Sequence, residues 1–149
     1  MGLQQSVQIQ STKKKIWEII SDIDQASETI SGIISVRVIE RPEQGMKGLK
    51  WEETRKMFGK EAKETMWVIE TDDESYYVTQ AENHGAIYTS SMHVEGEDGN
   101  CTLRMEFDAK ATSFGAKISM AIFSLFFRGA TKKVILQDLN DIKRKAEND

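Results

Sequence analysis

Between Ile33 and Ala111 the apolar residues recur with a period of two through run after run, and from about Phe114 to Glu147 the period turns helical with no proline to interrupt it. The runs are Val36 and Val38; Leu49, Trp51 and Met57; Met66 and Val68 or Trp67 and Ile69; Tyr76 to Ala81; Ala86 to Glu95; and Cys101 to Ala111. The last is the cleanest, with Leu103, Met105, Phe107 and Ala109 alternating against Arg104, Glu106, Asp108 and Lys110. Gly32, Gly45, Gly48, Gly59, Gly85, Gly96, Gly99 and the single proline, Pro42, fall mostly between runs and mark tight turns. Connections this short cannot hold crossover helices, so the pattern predicts an antiparallel meander of about six strands. Asp98-Gly99 is a hairpin signal between two of them.

Ahead of the meander, Leu3 to Gln10 alternates Leu3, Val7 and Ile9 with glutamines and Ser6, which predicts an opening strand. Ser11-Thr12 then offers a cap for a helix over Lys13 to Asp22, where Ile16, Trp17, Ile19, Ile20 and Ile23 recur at helical spacing. Asp24 to Ile30 reads as a second short helix ending at Gly32. The long C-terminal helix has two unlike halves. Before Gly129 it is apolar nearly all round, with Ile118, Ile122, Phe123, Leu125, Phe126 and Phe127; after it the pattern is amphipathic through Val134, Leu136, Leu139 and Ile142. A helix greasy on every side must be covered on every side or line something apolar, and Gly129 is the candidate bend and hinge.

A chain of 149 residues is one domain, 1–149, long enough to bury a real core. Twenty Lys+Arg against 24 Asp+Glu give a net charge of −4, which argues against a nucleic-acid partner held by bulk charge. The single cysteine, Cys101, can form neither an internal disulfide nor a thiolate zinc site, so a reducing, cytoplasmic location is the simplest expectation. The three lysines of MGLQQSVQIQSTKKK follow the apolar residues, the reverse of a secretory signal. MGLQQS does match the N-myristoylation pattern, with Gly2 and Ser6 in the required places. Ile118 to Phe127 is far short of the roughly 20 residues needed to span a bilayer, so no transmembrane segment is expected.

Strand, two short helices, six antiparallel strands and a long terminal helix is the order of the helix-grip fold. The chain resembles the START-type, birch-pollen-allergen-like superfamily (SRPBCC), and within it the polyketide cyclase/dehydrase and lipid-transport branch. The resemblance runs from Val7 to Glu147. Lys15-Ile-Trp-Glu-Ile-Ile-Ser-Asp22 is similar to the family's first helix, Gly45-Met-Lys-Gly-Leu-Lys-Trp51 to its turn into the third strand, and Asp138-Leu-Asn-Asp-Ile-Lys-Arg-Lys-Ala-Glu147 to its ending. It implies an α+β domain in which a curved antiparallel sheet grips the terminal helix, with an apolar cavity between them for a lipid, sterol, polyketide or aromatic molecule. No catalytic signature transfers residue by residue.

The most informative strand is Leu49 to Met57. If Leu49, Trp51 and Met57 face the cavity, a period of two turns Glu53 and Arg55 inward as well. Buried charges persist when paired or when they bind something. Glu53 and Arg55 therefore either anchor the polar end of a ligand, a carboxylate, hydroxyl or ketone, or form a structural salt bridge at the cavity mouth. Tyr76 or Tyr77 points inward, but not both. Trp51, Tyr88, Met92, Met105, Phe107, Phe123 and Phe127 are the candidate apolar wall, with Met120 in the same soft set, against the plainer reading of a packed core.

His84 and His93 have no metal-ligand spacing and read as surface residues, so no metal site is expected. Cys101 has no adjacent base, and no sequence fingerprint for a cofactor is present. Lys13 to Lys15 and Arg128, Lys132 and Lys133 read as solvated faces. The function expected is binding of a hydrophobic small molecule. Two alternatives remain: a polyketide cyclase- or dehydratase-like enzyme in which Glu53 or Tyr88 handles protons, and an interaction module that uses an exposed Ile118 to Phe127.

Overall fold

The computed structural model describes residues 2–57, 59–83 and 85–148, with the side chains of 123–127 outside the description. The chain runs β1 (Gly2–Ile9), α1 (Lys13–Ser21), a 3-10 turn (Ile23–Gln25), α2 (Ala26–Thr29), β2 (Ile33–Glu40), β3 (Lys50–Met57), β4 (Lys60–Asp72), β5 (Tyr76–Asn83), β6 (Ala86–Glu97), β7 (Asn100–Ala111) and α3 (Phe114–Asn148). Thr12 caps α1 as its position predicts, its hydroxyl accepting from the Lys15 amide at 3.1 Å. The second helix is shorter than its pattern suggests. Asp22 leaves helical geometry at φ −86°, ψ 78°, and Ile30 is already extended, so Asp24 to Ile30 divides into a 3-10 turn and a single α turn. Ile23 is buried at that break and ties it to the core.

The strands form one antiparallel sheet in the order β1-β7-β6-β5-β4-β3-β2. The six runs read from the period of two are β2 to β7, and the hairpin at Asp98-Gly99 joins β6 to β7. Gly99 takes a positive φ of 88° there. Gly96 has φ 92°, and a Cβ on it would come within 2.8 Å of the Asn100 carbonyl oxygen, so only glycine lets the two strands close. β4 and β5 slip register between Val68 and Glu70, the kind of bulge that bends a sheet.

One face of the sheet, carrying Trp51, Val68, Tyr77, Met92, Val94 and Leu103, packs on α1 and on the rear of α3. Ile16, Trp17 and Ile20 come from α1; Ile135, Leu139, Ile142 and Ala146 come from α3. Tyr77 meets Trp17 edge-on at 6.0 Å and donates its hydroxyl to the Ile20 carbonyl at 3.1 Å, so it joins α1 to the sheet through both its ring and its polar tip. α3 follows β1 closely. Arg128 donates to the Gly2 carbonyl, Lys143 to the Gln8 carbonyl, and the Gln10 amide donates to Glu147 at 2.8 Å.

The front of α3 departs from expectation. Phe114, Ile118 and Ile122 are 79%, 50% and 55% exposed, so that half of the helix is not covered on every side. The reason is geometric: the ties to β1 start at Arg128 beside Gly2, and the turns before it have run past the strand. α3 is one continuous helix through Gly129. Among the described residues no helix is long and apolar enough to cross a membrane.

Candidate functional site

Alternation along β3 puts Trp51, Glu53 and Arg55 on the concave side, and the ladder places them opposite Met66, Glu64 and Ala62 of β4. Between this side of the sheet and the helices lies a cavity of about 100 Å³. Its apolar wall comes from Ile19, Ile20, Ile23, Ile30 and Ile33 on one side and from Trp51, Met66, Tyr77, Met92, Met105 and Ile142 on the other. Glu53, Arg55, Thr79, Ser90 and Asp138 supply its polar atoms.

The polar end is organised around Arg55. Its Nε donates to Glu53 Oε2 at 3.2 Å and its Nη1 donates to Asp138 Oδ1 at 3.1 Å, while Nη2 lies 3.0 Å from Asp138 Oδ2. The Trp51 indole donates a longer bond to Glu53 Oε1 at 3.4 Å. Burial by itself would lower the Arg55 pKa; the Asp138 and Glu53 carboxylates more than offset it, and the guanidinium stays charged. Burial raises the Asp138 carboxyl, and Arg55 opposes that rise. Glu64 is raised too, first by burial and then by Glu53 across the ladder. The Tyr88 phenol is raised by burial and by the charge of Glu64. Two carboxylates thus hold one guanidinium, with Glu64 opposite Glu53 on the neighbouring strand.

The α2–β2 connection closes one side of the cavity, and side chains of α3 hold it. Asp141 accepts from the Ser31 amide at 2.9 Å and from its hydroxyl at 2.8 Å, and Gln137 donates to the same hydroxyl at 3.2 Å. At Gly32 an added Cβ would stand 3.3 Å from Arg55 Nη1, so a larger residue there would press on the ion pair.

Of the residues singled out from the sequence, Trp51, Glu53, Arg55, Met92 and Met105 come together around the cavity. Tyr88 and Phe107 stack on one another at 5.8 Å outside its lining. Phe107 instead borders a shallow groove with Leu3 and Gln4 of β1. The side chains of Phe123 and Phe127, like the whole of His84, lie outside the described residues. Of the two adjacent tyrosines Tyr77 points inward; Tyr76 stacks on His93 at 5.5 Å and donates to Glu70 on the outer face. His93 Nε2 lies 2.9 Å from the Ser91 hydroxyl, away from Glu53. Cys101 is buried, its thiol donating to the Ser11 and Glu97 carbonyls at 3.3 Å. Among the described residues no group of three or more His, Cys, Asp or Glu could hold a metal ion.

Sequence reasoning missed Asp138 and Glu64. Asp138 is distant from Arg55 in sequence, and its only signal is the Asp-Leu opening of the family-like ending. Glu64 stands in Lys60-Glu-Ala-Lys-Glu-Thr65, where no apolar alternation announces a strand.

The sequence matches the family model described as polyketide cyclase / dehydrase and lipid transport over residues 2–147. A comparison with curated protein sequences finds no match. Many solved structures share the fold. A ginseng major latex-like protein from Panax ginseng superposes with a TM-score of 0.78 at 13% identity, covering 98% of this chain and 97% of that one. The Zhui aromatase/cyclase from Streptomyces sp. R1128 gives 0.74 at 10% identity, over 98% and 93% of the two chains. A START superfamily protein from Mycobacterium smegmatis gives 0.72 at 11% identity, over 97% and 96%. At these identities the likeness is one of fold.

Proposed function

We propose, since the chain belongs to the polyketide cyclase/dehydrase and lipid transport family, that residues 1–149 form one domain that binds a hydrophobic small molecule between the sheet and α3. The observation that carries this reading is a mostly apolar cavity into which one charged cluster, Glu53, Arg55 and Asp138, is set, the arrangement that lets a site hold an oily body and orient one functional group. Trp51, Met92 and Met105 form the wall, and Glu53 and Arg55 with Asp138 face the polar group. The cavity, at about 100 Å³, is well below the roughly 300–1,000 Å³ of a typical ligand pocket. A ligand of one ring fits such a space; a lipid, sterol or polyketide requires it to widen, and Tyr88 and Phe107 then extend the wall.

The deciding experiment is native mass spectrometry of protein purified from its own host, with an apolar mass expected to leave on denaturation. Protein that is empty, and whose tryptophan fluorescence no aromatic or lipid probe shifts, overturns the reading. A second reading, a cyclase or dehydratase, draws support from the Glu64 carboxyl, raised by burial and by the opposed Glu53, with Tyr88 nearby, since a carboxyl held protonated can act as a general acid. It requires turnover with a bell-shaped pH dependence, whereas binding alone saturates without product.

A further inference from the structure

We propose that this cavity selects ligands whose polar end donates hydrogen bonds, an amine or a hydroxyl, and turns away those that end in a carboxylate. The inference rests on the binding role above and names the chemistry of its ligand. A carboxylate would need a cation whose charge is not already matched. Arg55 is the one cation lining the cavity among the described residues; three of its five N–H groups are engaged, Nε with Glu53 and Nη1 and Nη2 with Asp138, and its single charge already faces those two carboxylates. An incoming carboxylate would be a third negative charge on one guanidinium.

The remaining capacity at this end is for accepting. Glu53 Oε1 receives only the 3.4 Å contact from Trp51, while Glu64 stands behind it, outside the cavity lining and with no hydrogen-bond partner among the described residues. These two carboxylates occupy directly opposed positions of the β3–β4 ladder. Like charges so placed destabilise a sheet. Arg55 offsets this for Glu53 through its ion pair, but Glu64 has no such partner among the described residues. A donor placed at Glu53 from the cavity, above all a positively charged one, would make a charge-assisted bond to it and relieve its repulsion with Glu64.

The test uses the full chain at pH 7 with benzylamine, benzyl alcohol and benzoate, matched in ring size, titrated while the Trp51 indole N–H is followed by NMR. Benzylamine is expected to bind at least tenfold more tightly than benzoate, with the alcohol between them. Glu64→Gln is expected to cut the amine-to-benzoate ratio at least threefold and to leave the alcohol within twofold. Benzoate binding as well as the amine overturns the inference and leaves the binding role standing, as does a ratio that neither Glu64→Gln nor Glu53→Gln moves. If none of the three probes perturbs Trp51, this inference is overturned, while the binding role is decided by the co-purified mass and the lipid probes above.

Discussion

Arg55 on β3 and Asp138 on α3 are joined at two points, Nη1 to Oδ1 at 3.1 Å and Nη2 to Oδ2 at 3.0 Å, with side chains only 16% and 10% exposed. Two planar groups meeting in parallel fix the helix against the sheet in both distance and rotation. Such a pair contributes little net stability when whole, because burial of both charges opposes their attraction; removal of one partner strands the other.

Arg55→Met is therefore expected to lower the unfolding free energy by about 3 kcal/mol. Arg55→Met with Asp138→Leu should regain a substantial part of it, since only Glu53 is then left without its cation. Urea unfolding of both variants is the measurement. A loss below about 1 kcal/mol in the single variant would mean that water reaches the pair.

Glu64 gives a pH dependence of opposite sense to the usual carboxylate. Its folded pKa is raised, so folding favours the protonated form, and that contribution is complete below the ordinary value of 4.5 and lost as pH rises through the raised one. Burial first and the opposed Glu53 second penalise the ionised form, so Glu64→Gln should be more stable than the parent at pH 7 by at least about 0.5 kcal/mol, the scale of an opposed like-charge pair alone, and the gap should close on acidification. Thermal midpoints of both proteins from pH 4 to 7 decide it; a gap that is constant or reversed removes Glu53 as the source of the repulsion.

The element order was legible because its signals are local. A period of two, a hairpin dipeptide and a threonine ahead of an amphipathic run each act within a few residues, and β2 to β7, the Asp98-Gly99 turn and the Thr12 cap follow from them. Parity along β3 likewise placed Glu53 and Arg55 on the concave side. What parity could not supply was the partner: Asp138 reaches Arg55 only because α3 crosses the sheet at that height, a tertiary fact. Glu64 was hidden for another reason, since the charged half of β4 is a strand by virtue of pairing with β3, and propensity alone does not announce it. The fate of the apolar front of α3 was also beyond a residue pattern, which shows what a helix would prefer to cover and not how far the sheet extends.

The Ser31–Asp141 contact predicts local mobility. Asp141 is buried and holds both the amide and the hydroxyl of Ser31, so Asp141→Ala releases the α2–β2 connection from α3. Amide hydrogen exchange across residues 26–33 should accelerate at least tenfold, while β5 to β7 keep their protection. Equal acceleration in both regions would show general destabilisation and remove the contact as a latch.

The two halves of α3 should answer substitution differently. Ile118→Ser and Ile122→Ser remove half-exposed side chains and are expected to shift stability by no more than about 0.5 kcal/mol. Leu139→Ala empties a fully buried position and should cost about 2–5 kcal/mol. Denaturant midpoints of the three variants make the comparison, and a large loss at Ile118 would show that the front half is packed in solution.

That difference has a simple origin in lengths. From Arg128 to Glu147 α3 advances about 29 Å at the rise of a helix, close to the roughly 27 Å that extended chain covers from Gly2, through β1, to Gln10, which is why the backbone ties between them stay in step. Residues 114–127 add about 21 Å more, and β1 has no counterpart for that overhang. The keel of the fold is thus complete without the prow, and Phe114, Ile118 and Ile122 are left as oily side chains that folding itself does not consume.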